Sequence, residues 1–282
     1  DDLGIEHPYT VVNEGRWTLD YVRKQTADLG TDRNGDGKMD KYDFWGLATY
    51  QVNGMDNYMQ GARVSMMGRD ADDVPLLDVD MNRMTSLVEK VYALCFENPG
   101  CYVEEGGNYD ITYAVFKADR ALYTTMMMSQ VRTELADMES DFGILPYPKL
   151  DETQSAYGTR VQDGLTIFAV PIDCQKVEIT GAVMEAMAAE NYRKVTPAVY
   201  DVAMKTKYSR DPASAAMIDM IQQSVLINFE SIYNESIGSP WFVMRDLMGK
   251  KSRDFTSYWA SHVNKIEREL GKAVEQIRAI DQ

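Results

Sequence analysis

The chain has 282 residues, with 29 Lys plus Arg against 44 Asp plus Glu, which gives a formal charge of -15 at pH 7. Hydrophobic residues make up 45% and aromatics 10%, which excludes an intrinsically disordered chain and suits one large or two modest domains with a real core. An acid excess of this size repels phosphate backbones and anionic lipid, so nucleic acid is not an expected partner, whereas a neutral ligand, a cation or a metal ion is.

Helical periodicity dominates the pattern. The first helix is expected to start at Thr18 as N-cap, with Trp17 and Val22 as a hydrophobic staple, and to stop at Gly30. The segment Asp32-Arg33-Asn34-Gly35-Asp36-Gly37-Lys38-Met39-Asp40-Lys41-Tyr42-Asp43 follows. Numbered from Asp32, the side-chain oxygens of Asp32, Asn34, Asp36, Asp40 and Asp43 fall at positions 1, 3, 5, 9 and 12. Lys38 offers its backbone carbonyl at position 7 and Gly37 takes the turn at 6. This is the hard-oxygen spacing that wraps a short loop around Ca2+.

Asp43 stands where an EF-hand has a bidentate Glu, and Tyr42-Asp43-Phe44-Trp45-Gly46 reads as the start of a strand or loop. A single structural calcium ion of modest affinity is therefore expected, with an acidic loop held by Asx-turns as the plain alternative. Extracellular calcium fills such a site and resting cytosolic calcium does not, so the loop favours an exported protein. The acids Asp70, Asp72, Asp73, Asp78 and Asp80 read as a solvated face.

The second helix shows Met84, Leu87, Val88, Val91, Leu94 and Cys95 at one-face spacing and breaks at Pro99-Gly100. Cys95 and Cys101 flank Asn98-Pro99-Gly100; they either close a small loop in an oxidising environment or remain two thiols near a helix end, and Cys174 is single in both cases. Strand-like runs cover Ala121 to Met126, Phe142 to Leu145 and Leu165 to Val170. Between the second and third of these lies Pro146-Tyr147-Pro148-Lys149-Leu150-Asp151-Glu152, a stiff extended connector and a candidate hinge. The longest helical pattern is the last, with Phe255, Trp259, Val263, Ile266, Leu270, Val274 and Ile277 recurring every three or four residues. A helix-rich α/β class follows.

No catalytic residue emerges. His7 and His262 are far apart and read as ordinary surface or helix-flank residues. None of the nucleophile-elbow, zinc-protease, P-loop or dinucleotide motifs occurs. A carboxylate pair for glycoside hydrolysis is always available among 44 acids, so it singles out none of them. Aromatic faces beside polar groups are what an uncharged sugar needs. On that ground the candidate ligand-binding residues are Trp45, Tyr50, Met128, Tyr157 and Trp241, of which Trp45 and Trp241 stand beside turn residues.

Several segments, taken together and in order, resemble a known family. They are Gly4-Ile5-Glu6-His7-Pro8-Tyr9, Glu14-Gly15-Arg16-Trp17-Thr18, the acidic loop, Asp141-Phe142-Gly143-Ile144-Leu145-Pro146-Tyr147-Pro148-Lys149, Val183-Met184-Glu185-Ala186-Met187, Val195-Thr196-Pro197-Ala198-Val199-Tyr200-Asp201 and Ser209-Arg210-Asp211. They are similar to the extracellular solute-binding proteins of bacterial ABC importers, in the carbohydrate-binding branch often anchored as lipoproteins. The resemblance implies a type II periplasmic-binding-protein-like architecture of two α/β lobes closing on a ligand.

It further implies that residues 1–149 and 211–282 form the C-terminal lobe, and that 150–210 packs with the N-terminal lobe, most of which lies outside this chain. Met127-Met128-Ser129 falls where relatives place a cleft loop and Trp241 where sugar-binding relatives stack a ring. The implied function is to bind a sugar or oligosaccharide and deliver it to the permease's transmembrane subunits, as a monomer, at the cell surface and without catalysis. A carboxylate-based glycoside hydrolase and a calcium-stabilised protein-interaction module are the alternatives.

Overall fold

His7 opens the first helix, α1 (Pro8–Asn13), by accepting the Tyr9 N–H on Nδ1 at 3.3 Å in the computed structural model of the chain, which describes residues 4–162, 168–202 and 212–280. Next comes α2 (Leu19–Thr26), capped as expected by Thr18, whose hydroxyl accepts the Tyr21 N–H at 3.2 Å. It ends at Thr26, earlier than Gly30. Tertiary contact stops it: the Thr26 hydroxyl donates to the Val22 carbonyl at 2.7 Å and accepts from Asn98 Nδ2 at 2.8 Å. A Cβ on Gly46 would lie only 2.5 Å from Thr26 Cβ, so the two backbones are already in contact.

The strand entered at Gly46 is β1 (Trp45–Tyr50), all of whose residues are buried. Being covered on both faces, it carries no alternation, and sequence reading located only its start. After α3 (Asn53–Gly61) come the hairpin strands β2 (Met67–Arg69) and β3 (Pro75–Leu77), which pair antiparallel. The acid run is the turn of this hairpin, where one oxygen of Asp70 accepts the N–H of Asp72 and of Val74, both at 2.9 Å. All five acids expected on a solvated face are exposed, and Asp80 in addition caps α4 (Met81–Phe96) by accepting the Arg83 N–H at 2.9 Å. All six residues of the expected stripe on α4 are buried.

Then follow β4 (Cys101–Glu104), α5 (Tyr109–Lys117), β5 (Ala121–Thr124) and α6 (Met128–Glu134). β1 runs parallel between β4 and β5 in a three-stranded sheet, with Leu47 opposite both Cys101 and Tyr123. α2 packs on α4 and on β1, and α5 packs on β1 and β5.

Phe142 to Leu145 is not a strand but an irregular run. It is shaped by Tyr9: a Cβ on Gly143 would meet the Tyr9 hydroxyl at 2.2 Å, so the chain lies over that ring and not against a strand. Beyond it, the connector is pinned. The Trp17 indole donates to the Pro146 carbonyl at 2.9 Å, Lys149 N–H to the Trp17 carbonyl at 3.0 Å, and Leu19 N–H to the Lys149 carbonyl at 2.9 Å.

Of the third expected strand, Leu165 to Ile167 lies outside the described residues, and 168–170 has no regular structure. A short strand, β6 (Thr159–Arg160), precedes it and pairs parallel with β7 (Val225–Leu226). Between these two lie α7 (Val177–Glu190), continued by a wider turn over Asn191–Val195, and α8 (Pro212–Gln223). α9 (Phe229–Ile232), α10 (Val243–Gly249) and α11 (Phe255–Ile280) complete the chain.

Along α11, Phe255, Trp259, Ile266 and Leu270 are buried, while Ile277 in the last turns is 42% exposed. One main core joins Val11, Trp17, Leu47, Met84, Leu150, Met217, Trp241 and Phe255, from both ends and the middle of the sequence. α7, by contrast, has no buried residue.

Candidate functional site

Parallel strands bring their C-terminal ends to one side, and ligands in open α/β sheets bind there. A cavity of about 1120 Å³ lies alongside β5 and the segment that leaves its C-terminal end. Residues 121–129 form one wall, 141–148 a second, and 159–162 a third. Its polar lining includes Asn57, Thr124, Thr125, Tyr147, Thr159, Arg160 and Gln162, together with His7, Asp119, Ser129 and Asp141, and the remainder includes Phe116, Leu122, Met126, Met128, Leu135, Phe142 and Ile144. An apolar hollow with a few convergent polar groups is the usual form of a small-molecule site.

The polar groups are fixed from behind. Thr125 and Thr49 share a hydroxyl–hydroxyl bond of 2.9 Å, which ties the end of β5 to β1. Tyr147 meets Tyr58 edge-to-face at 5.5 Å between ring centroids. Burial pushes the Tyr147 phenol up, against hydrogen bonds from Thr125 and Asn57 that lower it, so it stays protonated and can donate at neutral pH. Arg160 donates to the Asn53 carbonyl at 3.3 Å and stands 3.3 Å from the carboxylate of Asp56, which is fully buried. Asp56 also accepts Arg245 Nε at 2.7 Å, so one carboxylate holds α3, β6 and α10 together. Removing Asp56 would leave two neighbouring guanidinium groups without it in low dielectric, a costly change.

Of the five residues expected to touch ligand, the structure brings only Met128 to this cavity. Trp45 is 6% exposed, packs on Ala48, Val115 and Ala121, and donates its indole N–H to the Asp40 carbonyl at 2.7 Å. Tyr50 is buried at the end of β1, its ring against Tyr109 and Tyr113. Tyr157 is buried and donates to the Val12 carbonyl at 2.9 Å. Trp241 is 1% exposed within the main core. Large rings beside turns are here core residues that close the ends of elements.

Sequence reading missed Asn57, Thr125, Tyr147 and Arg160. Tyr147 had a signal, since Pro146 and Pro148 stiffen the backbone on both sides of it. Thr125 had a weaker one at the end of the β5 run, and Asn57 and Arg160 had none. His7 caps α1 and also lines the cavity, and His262 stacks on Tyr258 at 4.0 Å.

The acidic loop folds around its own amides. Asp32 accepts the N–H of Gly35 at 2.6 Å and of Gly37 at 2.9 Å, Asn34 that of Asp36 at 2.9 Å, and Asp36 that of Lys38 at 2.8 Å. Gly35 and Gly37 sit at φ +73° and +77°, a conformation that glycine adopts without cost. Asp43 is buried, with Oδ1 on the Arg33 N–H and Oδ2 on the Asp40 N–H, and the Asp40 bond first among its causes keeps the carboxyl below its ordinary range. Among the described residues no group of three or more His, Cys, Asp or Glu side chains is gathered as for a metal ion. The donor set of Asp32, Asn34, Asp36, Asp40 and the Lys38 carbonyl is nonetheless hard oxygen throughout, the chemistry that suits Ca2+.

No helix among the described residues is long and apolar enough to cross a membrane. No protein-family model matches the chain, and no curated protein sequence matches it. Among solved structures, the chain is similar to the maltose/maltodextrin-binding domain MalE from Bdellovibrio bacteriovorus bound to maltotriose. The TM-score is 0.57 at 14% sequence identity, over 92% of this chain and 67% of that one. The likeness is one of fold: this chain has a helix-rich α/β, periplasmic-binding-protein-like architecture.

Proposed function

We propose that this chain belongs to an extracellular solute-binding protein that takes a sugar or oligosaccharide in the cavity beside β5 and delivers it to the transmembrane subunits of an ABC importer. The reading is of a binding protein, not an enzyme, anchored at the cell surface as a lipoprotein and acting as a monomer. One observation carries it: a cavity with apolar walls and convergent hydroxyls lies alongside β5 and the segment that leaves its C-terminal end, in a fold shared with a maltotriose-bound domain. Tyr147 supplies a ring, backed by the buried Tyr58, and Asn57, Thr125 and Arg160 the polar partners.

In this reading residues 1–149 and 211–282 build one lobe and 150–210 packs with a second. The support comes from α7, which is apolar on most of its surface yet exposes Val177, Ile179, Val183 and Met187. A helix that apolar is normally covered. Leu150, Gln154 and Tyr157, at the start of the 150–210 segment, are buried, Leu150 and Tyr157 in the main core.

Calorimetry of the protein against a panel of mono- and oligosaccharides tests the proposal. Micromolar binding is expected, weakened roughly tenfold by Asn57→Ala or Tyr147→Ala, about 1.4 kcal/mol each. Absence of binding to every saccharide sinks it, and turnover of a chromogenic glycoside would move the protein to the hydrolases. The same proposal includes a structural Ca2+ held by Asp32, Asn34, Asp36, the Lys38 carbonyl, Asp40 and Asp43. Chelator is then expected to lower the Tm of the wild type by a few degrees and to leave Asp36→Ala unmoved; an unchanged wild-type melt removes calcium from the account.

A further inference from the structure

Cys95 ends the buried stripe of α4 and Cys101 begins β4, and the turn between them is held rigidly. Cys101 N–H donates to the Asn98 carbonyl at 3.1 Å, Gly100 N–H to Asn98 Oδ1 at 3.1 Å, and Asn98 Nδ2 to the Thr26 hydroxyl at 2.8 Å. The Gly100 carbonyl in turn accepts the N–H of Gly46 at 2.8 Å and of Leu47 at 3.0 Å. With the backbone so fixed, both thiols enter the same main core, 4% and 9% exposed.

They also converge on a common neighbour. Tyr58 lies in the same core, and after burial it is the Cys95 thiol, then Tyr147, then the Cys101 thiol that hold its phenol up. The Cys101 thiol is itself pushed up, first by its hydrogen bond with Cys95 and then by burial. Neither thiol has a part in the cavity chemistry.

We propose that Cys95 and Cys101 join as a disulfide when the chain folds in the presence of a low-molecular-weight disulfide, stapling the end of α4 to the start of β4 behind Tyr58. In the unjoined state the turn fixes the backbone between the two residues and both thiols lie in one core, the setting in which a short loop can close. The reaction is thiol–disulfide exchange with oxidised glutathione. One cysteine thiolate attacks a glutathione sulfur, breaking its S–S bond and releasing one glutathione thiolate. The second cysteine gives up its proton and attacks the mixed disulfide, forming the Cys95–Cys101 bond and expelling the second glutathione. Two protein thiols are oxidised, one glutathione disulfide is reduced to two thiols, and the two protons end on those thiols.

Because folded Cys95 and Cys101 are shielded, exchange belongs to folding and not to the finished protein. Cys174 serves as an internal control: it is only partly buried, its thiol 3.5 Å from the Thr180 hydroxyl that lowers it, and it stands outside the core. It is expected to form a glutathione adduct and no internal bond.

The test refolds the reduced, denatured full chain in a glutathione redox buffer, blocks remaining thiols by alkylation and maps the peptides by mass spectrometry. A peptide pair carrying Cys95 and Cys101, joined and lighter by two hydrogens, is expected, with alkyl or glutathione on Cys174. Reduction of that product is expected to lower the Tm by roughly 5 °C, and Cys95→Ser to abolish both the pair and the shift. If the wild type instead shows Cys95 and Cys101 alkylated, or each carrying glutathione, the proposal is overturned, and that map decides the matter even where the variant does not fold.

Discussion

Val52 is held where a β-branched residue least belongs. It follows β1 at φ 61° and ψ -124°, the first central position of a type II′ turn closed by the Gly54 N–H on the Gln51 carbonyl at 3.4 Å, a position that glycine usually fills. Backbone strain of this kind costs of order 1–3 kcal/mol and concentrates beside functional sites; here it sets the entry of α3, which carries Asn57 and Asp56. Val52→Gly is therefore expected to raise stability by about 1 kcal/mol once the added freedom of the unfolded glycine is counted, and a lower Tm in a thermal melt would remove the strain argument. Tyr157 gives a pH prediction. Burial pushes its phenol from the ordinary 10 up to about 12. A raised acid stabilises the fold fully below pH 10 and loses that contribution as pH climbs to 12, because the unfolded chain ionises first. Unfolding free energy should fall by up to about 2 kcal/mol across that window from this residue, and Tyr157→Phe should flatten the slope in urea titrations at stepped pH. At this scale the sequence was legible for caps and stripe positions such as Thr18, Met84 and Leu94, which depend on near neighbours in the chain. It was not legible for the site, because Asn57, Thr125, Tyr147 and Arg160 come together only through the fold, and turn residues beside Trp45 or Trp241 do not reveal that the ring is buried.

The elements that sequence reading located are those with a period of their own. α4 and α11 repeat their apolar residues on one face, and both lie where that repeat puts them. Parallel strands have no such signature: β1 is buried on both sides and β4 spans only Cys101–Glu104. The ends of elements proved to be set by contact. Gly100 shows why, since a Cβ there would lie 1.7 Å from the Thr26 carbonyl oxygen, a backbone atom with no freedom to yield. The turn after α4 and the end of α2 are therefore one structure, which explains a helix stop at Thr26 that no local glycine supplies. Gly100→Ala is expected to cost about 3 kcal/mol or more, seen as a lost or sharply lowered denaturation midpoint. A midpoint within half a kcal/mol of wild type would mean that the close approach is not real.

Across the whole molecule, buried surface is unevenly shared. The core that binds α1, α4, α10 and α11 is continuous, while α7 contributes nothing to it. Amide hydrogens of α7 should exchange orders of magnitude faster than those of α4. Equal protection of the two helices here would contradict the exposure of α7. The main cluster has one more consequence, which concerns the time at which it can form. β1 cannot pair until Cys101–Glu104 and Ala121–Thr124 exist, and Val11 and Trp17 share their core with Trp241, Phe255 and Ile266. Contacts of such long range make folding slow. During synthesis the early apolar residues must wait, half-covered, for α10 and α11 to leave the ribosome, so this chain depends on its last helices, and on whatever shields it in the interval, to commit to its first.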